Sequence, residues 1–318
     1  MEKKGQANVL VVVLIILIVL VAIAIVWNVV SVLVSEKSKE VGLGGLTVSL
    51  DIKEVILFET GPMKVTINRG TGEGEIDNLK FVFYNEVGES SIVTKESIGI
   101  LQTKTYSFSP VGTGNIKKVS VVPVVGNKLG IEIKSGVDKI SEIPSGLVSW
   151  WRFDRDTSDF LGRNNNCQLI NGSSVSDNVL TGSLSCPDNN SLDISEKISI
   201  SFWIKTNAND KIIKKGDNYK AFLDGGLVNF SYGDNKISSD DRVDLSNNSW
   251  HHVVVDSDGI YLDGKNNKGF IWFNSQTNNK DLIIGYISGE LDELMIFNKS
   301  LTKDQANALY ENQKIMFS

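Results

Sequence analysis

Apolar and polar positions change their rhythm twice along this 318-residue chain, and each rhythm predicts a different kind of element. The first is an unbroken apolar run from Val9 to Trp27, with no charged side chain between Lys4 and Glu36. A helix rising about 1.5 Å per residue over such a run covers the roughly 30 Å hydrocarbon thickness of a bilayer. Lys3 and Lys4 precede it, so the positive-inside tendency keeps Met1 to Lys4 cytoplasmic and places everything beyond about Glu36 outside. From Gly42 to Ile143 the rhythm shortens to two. Leu46–Ile52, Met63–Ile67, Leu79–Tyr84, Thr105–Phe108 and Ile116–Val124 each read as strands, joined by Gly70-Thr-Gly-Glu-Gly74, Gly112-Thr-Gly-Asn115 and Gly126-Asn127. Many short strands without a helical pattern predict a β-sandwich, and no cluster of titratable groups in it suggests chemistry.

Val137 to Ser145, with Pro144 and little apolar content, reads as a linker. Beyond it the alternation resumes against a background of Trp, Asp, Asn and Gly. Ile198, Ile200, Phe202 and Ile204 share one strand face and Trp203 takes the other. Asp256-Ser-Asp-Gly259 and Asp263-Gly264 are hairpin turns. Thr302 can cap a closing helix, Lys303 to Asn312, on which Ala306, Leu309 and Tyr310 form one stripe.

Composition refines this picture at three points. A net charge of −6 argues against nucleic acid as a partner. The two cysteines, Cys167 and Cys186, pair by default in an oxidising exterior, with free buried thiols as the alternative. Asn-x-Ser sequons begin at Asn171, Asn189, Asn229, Asn247 and Asn298, all in the last half of the chain, and suggest a glycosylated outer domain.

The apolar N-terminal segment can be read in three ways. It is too long for a cleaved secretory signal, and Ser31 to Ser35 is a poor cleavage site. A plain signal anchor needs only its charge and length. Lys3-Lys4-Gly5-Gln6, placed at the cytoplasmic edge of the run, resembles the class III leader of archaeal type IV pilins and archaellins. That resemblance implies a prepilin peptidase cutting between Gly5 and Gln6, and a retained helix that packs against other pilin subunits in a filament. The strand-rich stretch after it loosely resembles the β-sandwich of pilin-like proteins, with a packing or stalk role.

A second resemblance covers the C-terminal part. Leu147-Val-Ser-Trp-Trp-Arg-Phe-Asp154, Asp159-Phe-Leu-Gly-Arg-Asn-Asn165, Ile198 to Lys205, Trp250 to Val255 with Tyr261-Leu-Asp-Gly264, and Gly289 to Leu301 fall in an order similar to that of the laminin-G-like, concanavalin A-like jelly roll. The resemblance implies two packed antiparallel sheets, carbohydrate binding and a calcium ion at the rim. Calcium takes six to eight hard oxygens, and Asp154, Asp159, Asn164 and Asp292 are the candidates, with a solvated acidic loop as the alternative; Asp156 is an unplaced extra acid. The tryptophans at 150, 151, 203 and 250 read as core, whereas Trp272, in a Gly-Asn-rich loop region, is the candidate for sugar stacking.

Glu290-Leu-Asp-Glu293 is superficially similar to the laminarinase-type glucanase site. Strict alternation would put Glu293 opposite Glu290 and Asp292, leaving no second convergent carboxylate, so no catalysis is expected. His251 and His252, the only histidines, point to opposite faces and cannot share a metal as neighbours.

The chain is therefore expected to be mainly β: leader at 1–5, transmembrane or pilin-core helix at 6–41, β-sandwich at 42–143 and jelly roll at 146–318. Two functions fit. One is a cell-surface adhesin, membrane-anchored or in a filament, presenting a lectin-type domain to glycans or glycoproteins. The other is a structural filament or envelope subunit whose jelly roll is a spacer or interface.

Overall fold

A computed structural model of the protein describes residues 48–59, 62–72, 74–109, 116–126, 128–136, 140–240, 244–269 and 277–317. The leader with Gly5 and Gln6, the apolar helix at 6–41 and Trp272 lie outside these residues. No helix among the described residues is long and apolar enough to cross a membrane.

The described chain is mainly strand and divides into two units, residues 1–55, 65–106 and 111–139, and residues 56–64, 107–110 and 140–318. The first holds β1 (Leu50–Phe58), β2 (Met63–Arg69), β3 (Asn78–Asn85), β4 (Ser90–Glu96), β5 (Thr103–Phe108), β6 (Ile116–Val125), β7 (Lys128–Leu129) and β8 (Ile133–Lys134), apart from the strand ends counted with the second. One sheet runs β5-β2-β1 and the other β4-β3-β6-β7, with β8 also on β6. Period-two alternation turns Val65 and Ile67 of the first sheet, and Leu79, Phe81, Phe83, Val119 and Val121 of the second, into a core from which water is excluded. The Phe81 and Tyr106 rings, 5.1 Å apart, join the two sheets. Two details depart from the sequence reading. β1 runs on from Leu50 to Phe58 past the charged Lys53-Glu54 pair, because Val55 and Ile56 are buried beyond it as Leu50 and Ile52 are before it, while Leu46 lies outside the described residues. β4 was not foreseen: it is an edge strand with no buried residue, so it carries no apolar stripe to read.

The second unit continues with β9 (Ile140–Ile143), β10 (Leu147–Trp151), β11 (Gln168–Ser176), β12 (Val179–Cys186), β13 (Ser199–Lys205), β14 (Lys211–Lys215), β15 (Tyr219–Asp224), β16 (Leu227–Tyr232) and β17 (Asn235–Ser238). It closes with β18 (Trp250–Asp256), β19 (Gly259–Leu262), β20 (Lys265–Gly269), β21 (Leu282–Phe297) and helix α1 (Lys303–Gln313). The stretch expected to be a linker thus contains β9.

The 16-residue β21 organises this unit. Its first half lies between β12 and β14, in a layer that continues through β15, β16 and β17; its second half lies between β10 and β13, in a layer that continues through β18, β19 and β20. Between the layers, Ile198, Ile200, Phe202 and Ile204 of the β13 region meet Ala221, Leu223, Val228 and Phe230 in one apolar core. Each such fully buried side chain contributes about 1.5–3 kcal/mol. Trp203 faces the other way, where Trp150, Val254, Met295 and Phe297 pack with Ala306 and Leu309 of α1 in a second cluster. Thr302 starts α1 with a capping box, accepting from the Gln305 amide while the Gln305 side chain accepts from the Thr302 amide.

Ile56 and Ile143 belong to this second cluster, and the amide of Glu59 donates to the carbonyl of Ile143. The tip of the β1–β2 hairpin is therefore part of the second unit. Cys167 and Cys186 form a disulfide, separated by 19 positions, a closure that limits the unfolded chain by about 3 kcal/mol.

Candidate functional site

β14, β15, β16 and the first half of β21 turn their inner residues to the core and leave an outer face over which lies a cleft of about 1170 Å³. Cross-strand register fixes which residues make up that face, with Asn229 and Ser231 buried in it. One row runs Ile283, Lys214, Lys220, Ser231 and Lys236 across five adjacent strands. The next runs Lys211, Phe222, Asn229 and Ser238. Asp217, Asp234 and Asp281 border the cleft from turns and strand ends, as do Thr277 and Asn278.

Tyr286 stands out in this setting. Gly182 pairs with Ile287 and Ser183 with Gly285, so Tyr286 is an extra residue, a β-bulge in β21. Its φ of +46° is in the left-handed region, unfavourable for a bulky side chain by about 1–3 kcal/mol. Instead of entering the core, the ring is 61% exposed at the cleft, with the Lys211 ammonium 5.2 Å from its centroid. The bulge has dedicated supports. Gly285 has φ +101°, and a Cβ there would lie 2.1 Å from the Gly182 carbonyl oxygen. The Tyr286 amide donates to Ser183 Oγ at 3.2 Å. Buried Asp210 accepts from the Ser288 amide at 3.0 Å and from Thr206 Oγ1 at 2.6 Å.

A buried ion cluster sets one edge of the cleft. The Lys215 side chain is fully buried; its ammonium donates to Asp188 Oδ1 and to the carbonyls of Asn278, at 3.2 Å, and Lys280, and lies 3.2 Å from Asp193 Oδ1. Asp281 accepts from Ser185 Oγ at 3.0 Å and from the Asp188 amide at 3.2 Å. These contacts hold residues 278–281 where they line the cleft.

Of the four residues considered for calcium, Asp154 and Asp292 lie close enough for their charges to interact, and each of the four has its own setting. Asp159 is buried, and its carboxylate accepts from the amides of Trp150, Leu161 and Arg163; burial raises its pKa while those donors oppose the rise. It is a loop clamp. Asp154 Oδ2 lies 3.2 Å from Arg152 Nε, and Asn164 is exposed with φ +64°. Asp292 is buried beside Glu293, and burial, then the Glu293 charge and that of Asp154, push its pKa up. No group of three or more His, Cys, Asp or Glu side chains that could hold a metal ion forms among the described residues.

Glu293 departs from the strict alternation expected of β21 as well. Ser201 pairs with Met295 but Trp203 with Asp292, so a second bulge interrupts β21, with Glu293 at φ +50°. Asp292 and Glu293 consequently share the α1 side. Glu293 there accepts from Trp150 Nε1 and, at 3.4 Å, from Gln313 Nε2, and ion-pairs with Arg152 at 3.4 Å. The pair is buried away from the cleft, whereas Glu290 pairs with Lys205 at 3.2 Å.

His251 and His252 do separate, as adjacent strand residues must. His251 Nδ1 contacts Asp263 Oδ2 at 3.0 Å; His252 is fully buried against Trp203 with Nε2 2.9 Å from Ser201 Oγ, and burial pushes its pKa down to about 3. Among the sequons, Asn171, Asn247 and Asn298 are exposed, and Asn189 is half-buried with its side chain capping the turn at Ser191. Asn229 is a correction: it is buried, its Nδ2 donates to Leu227 O at 3.1 Å and its Oδ1 accepts from Ser238 Oγ at 2.7 Å, so the folded chain offers no free amide there.

Sequence reasoning missed Tyr286 and the lysine rows. A glycine inside an apolar strand run, Gly285, was the available signal for a bulge.

Residues 176–307 match the family model Laminin_G_3, described as the concanavalin A-like lectin/glucanases superfamily. A comparison with curated proteins finds no match for the chain.

Proposed function

We propose that this chain is a surface-displayed glycan-binding protein whose second unit holds sugar in the cleft beside Tyr286. The observation that carries this reading is Tyr286 itself: a bulky ring held out of the core, in an unfavourable backbone conformation, at a cleft of about 1170 Å³ lined by both apolar and polar groups. A flat aromatic face with hydroxyl, amide and charged groups around it is the chemistry that binds a pyranose, which is apolar on its ring faces and polar at its edge. The match of residues 176–307 to a superfamily of lectins and glucanases supports the same class of ligand. Binding without hydrolysis is the better reading of the two, because Asp292 and Glu293, the adjacent buried carboxyl groups, do not line the cleft, and Glu293 is taken up by Trp150 and Gln313.

Display outside the membrane rests on the apolar run after Lys4, and assembly with other pilin-like subunits rests on Lys3-Lys4-Gly5-Gln6. Sequencing the N-terminus of the mature protein tests the latter: Gln6 as first residue supports the filament form, and Met1 reduces the molecule to an anchored surface protein.

The functional test is a glycan-array screen of the detergent-solubilised full chain beside Tyr286→Ala. We expect saturable binding that falls at least about tenfold in the variant, about 1.4 kcal/mol. Binding unchanged by the substitution moves the site elsewhere, and a blank array from folded protein favours the spacer or interface role.

A further inference from the structure

The cleft is more specific than a sugar platform, and the charges on its strands say for what. Lys214 of β14 and Lys220 of β15 are direct cross-strand partners, and Ser231, the next residue in the row, is followed by Lys236. Like charges directly opposite one another in a sheet are destabilising. A stability-driven sequence would place an acid or a neutral residue at one of these positions, yet no acid interrupts this row. Lys211 adds a further ammonium beside the Tyr286 ring, and Lys236 lies 5.1 Å from the Phe222 ring, so cations and aromatic faces alternate on one surface. The acids that line the cleft, Asp217, Asp234 and Asp281, come from turns and from the position before β21, and the lysines that line it, Lys211, Lys214, Lys220 and Lys280, outnumber them. Two of those features, the opposed lysines and the outward tyrosine, each cost stability, and both lie on the same face.

We infer that the ligand of this cleft is an acidic glycan, one whose sugars carry carboxylate or sulfate groups. The inference rests on the reading of the cleft as a sugar site. Its division of labour is that Tyr286 takes a ring face while Lys211, Lys214 and Lys220 take the anions, as point charges that suit either group. A chain of net charge −6 has no general affinity for polyanions, so the attraction is confined to this surface.

The test uses the folded full chain with four probes: an oligogalacturonate, its methyl-esterified neutral form, a sulfated dextran oligosaccharide and unsulfated dextran. We expect at least one charged probe to bind, its neutral counterpart to bind at least tenfold more weakly, and affinity to fall as salt is raised. Lys214→Gln/Lys220→Gln should weaken the charged probe at least tenfold while leaving the melting temperature equal or higher, since a like-charge pair has been removed. A purely structural role for these lysines would lower it instead. Neutral and charged forms bound equally, with Tyr286→Ala abolishing both, would sink the acidic-glycan inference and leave the sugar site standing. Binding by none of the four, or a dT oligonucleotide bound as tightly as the best of them, would overturn the inference as well, the latter by showing charge attraction without sugar recognition.

Discussion

His252 shows how far one buried side chain can set the acid response of this protein. Burial against Trp203 holds its imidazole neutral down to about pH 3, while the unfolded chain titrates near 6.5. Because the folded pKa is the lower one, the unfolded state binds an extra proton between those values. Stability is therefore complete above about pH 6.5 and is lost as pH falls, with a limiting slope of about 1.4 kcal/mol per pH unit. Asp159, Asp256 and Asp292 shift upward on burial and act in the opposite sense, so the comparison must be with a matched variant. His252→Gln keeps a partner for Ser201 Oγ and removes the titration. We expect its melting temperature to fall less steeply than that of the wild type between pH 6.5 and 4; parallel curves would show that His252 is not the acid-sensitive group. Legibility at this scale is uneven. The separation of His251 from His252 follows from alternation alone, whereas Glu293 and Tyr286 escape it because each is the extra residue of a bulge, and a bulge inverts the face assignment on which alternation depends.

β21 and β14 show what elements add. β21 contributes to both layers of the second unit, and its two bulges re-aim side chains: one turns Tyr286 to the cleft and the other brings Glu293 beside Asp292 under α1. β14 ends in Lys215, whose ammonium gathers Asp188, Asp193 and two backbone carbonyls from the segment before β21. Its neighbours Lys211 and Lys214 are exposed, so the sequence Lys-Ile-Ile-Lys-Lys gives no sign that the last lysine is buried. Only the register, which pairs Lys215 with Leu282 and Tyr219, reveals it. Lys215→Met preserves most of the aliphatic stem and removes the charge, leaving Asp193, at 13% side-chain exposure, without its countercharge. Breaking a buried pair from one side costs about 3–5 kcal/mol. Urea denaturation should show that loss as a lower midpoint, and sugar binding should weaken as residues 278–281 lose their anchor. An unchanged midpoint would mean that solvent compensates the acids fully. By contrast β13 was legible in full: its four alternating apolar residues had one place to go, and its tryptophan the other.

At the scale of the molecule, the division of the chain departs from its order in sequence. A shift in composition near Gly146 suggested that the C-terminal domain begins there, yet the second unit also includes residues 56–64, 107–110 and 140–145. No local pattern could announce this, because Ile56 and Phe58, which join it, are ordinary strand residues whose cluster partners outside their own strand begin at Ile143, 87 and 85 positions further along. The attachment is specific. Glu59 accepts from the Ser145 amide at 2.8 Å and lies 3.6 Å from the Lys299 ammonium, and Lys64 donates to the Phe160 carbonyl at 2.6 Å while sitting 3.8 Å from that ring's centroid. A chain starting at Gly146 loses all of these contacts and uncovers Trp150, Met295 and Phe297. The two isoleucines alone, Ile56 and Ile143, account for about 3–6 kcal/mol of burial. Such a fragment should therefore melt well below the corresponding transition of the full chain and bind an apolar dye at temperatures where the full chain does not. Restoring Ile140 to Ser145 should recover only part of the difference, since the hairpin tip remains missing. If the fragment from Gly146 melts at the temperature of the full chain, residues 56–64 rest on the second unit without stabilising it, and the binding experiments can be moved to the shorter chain.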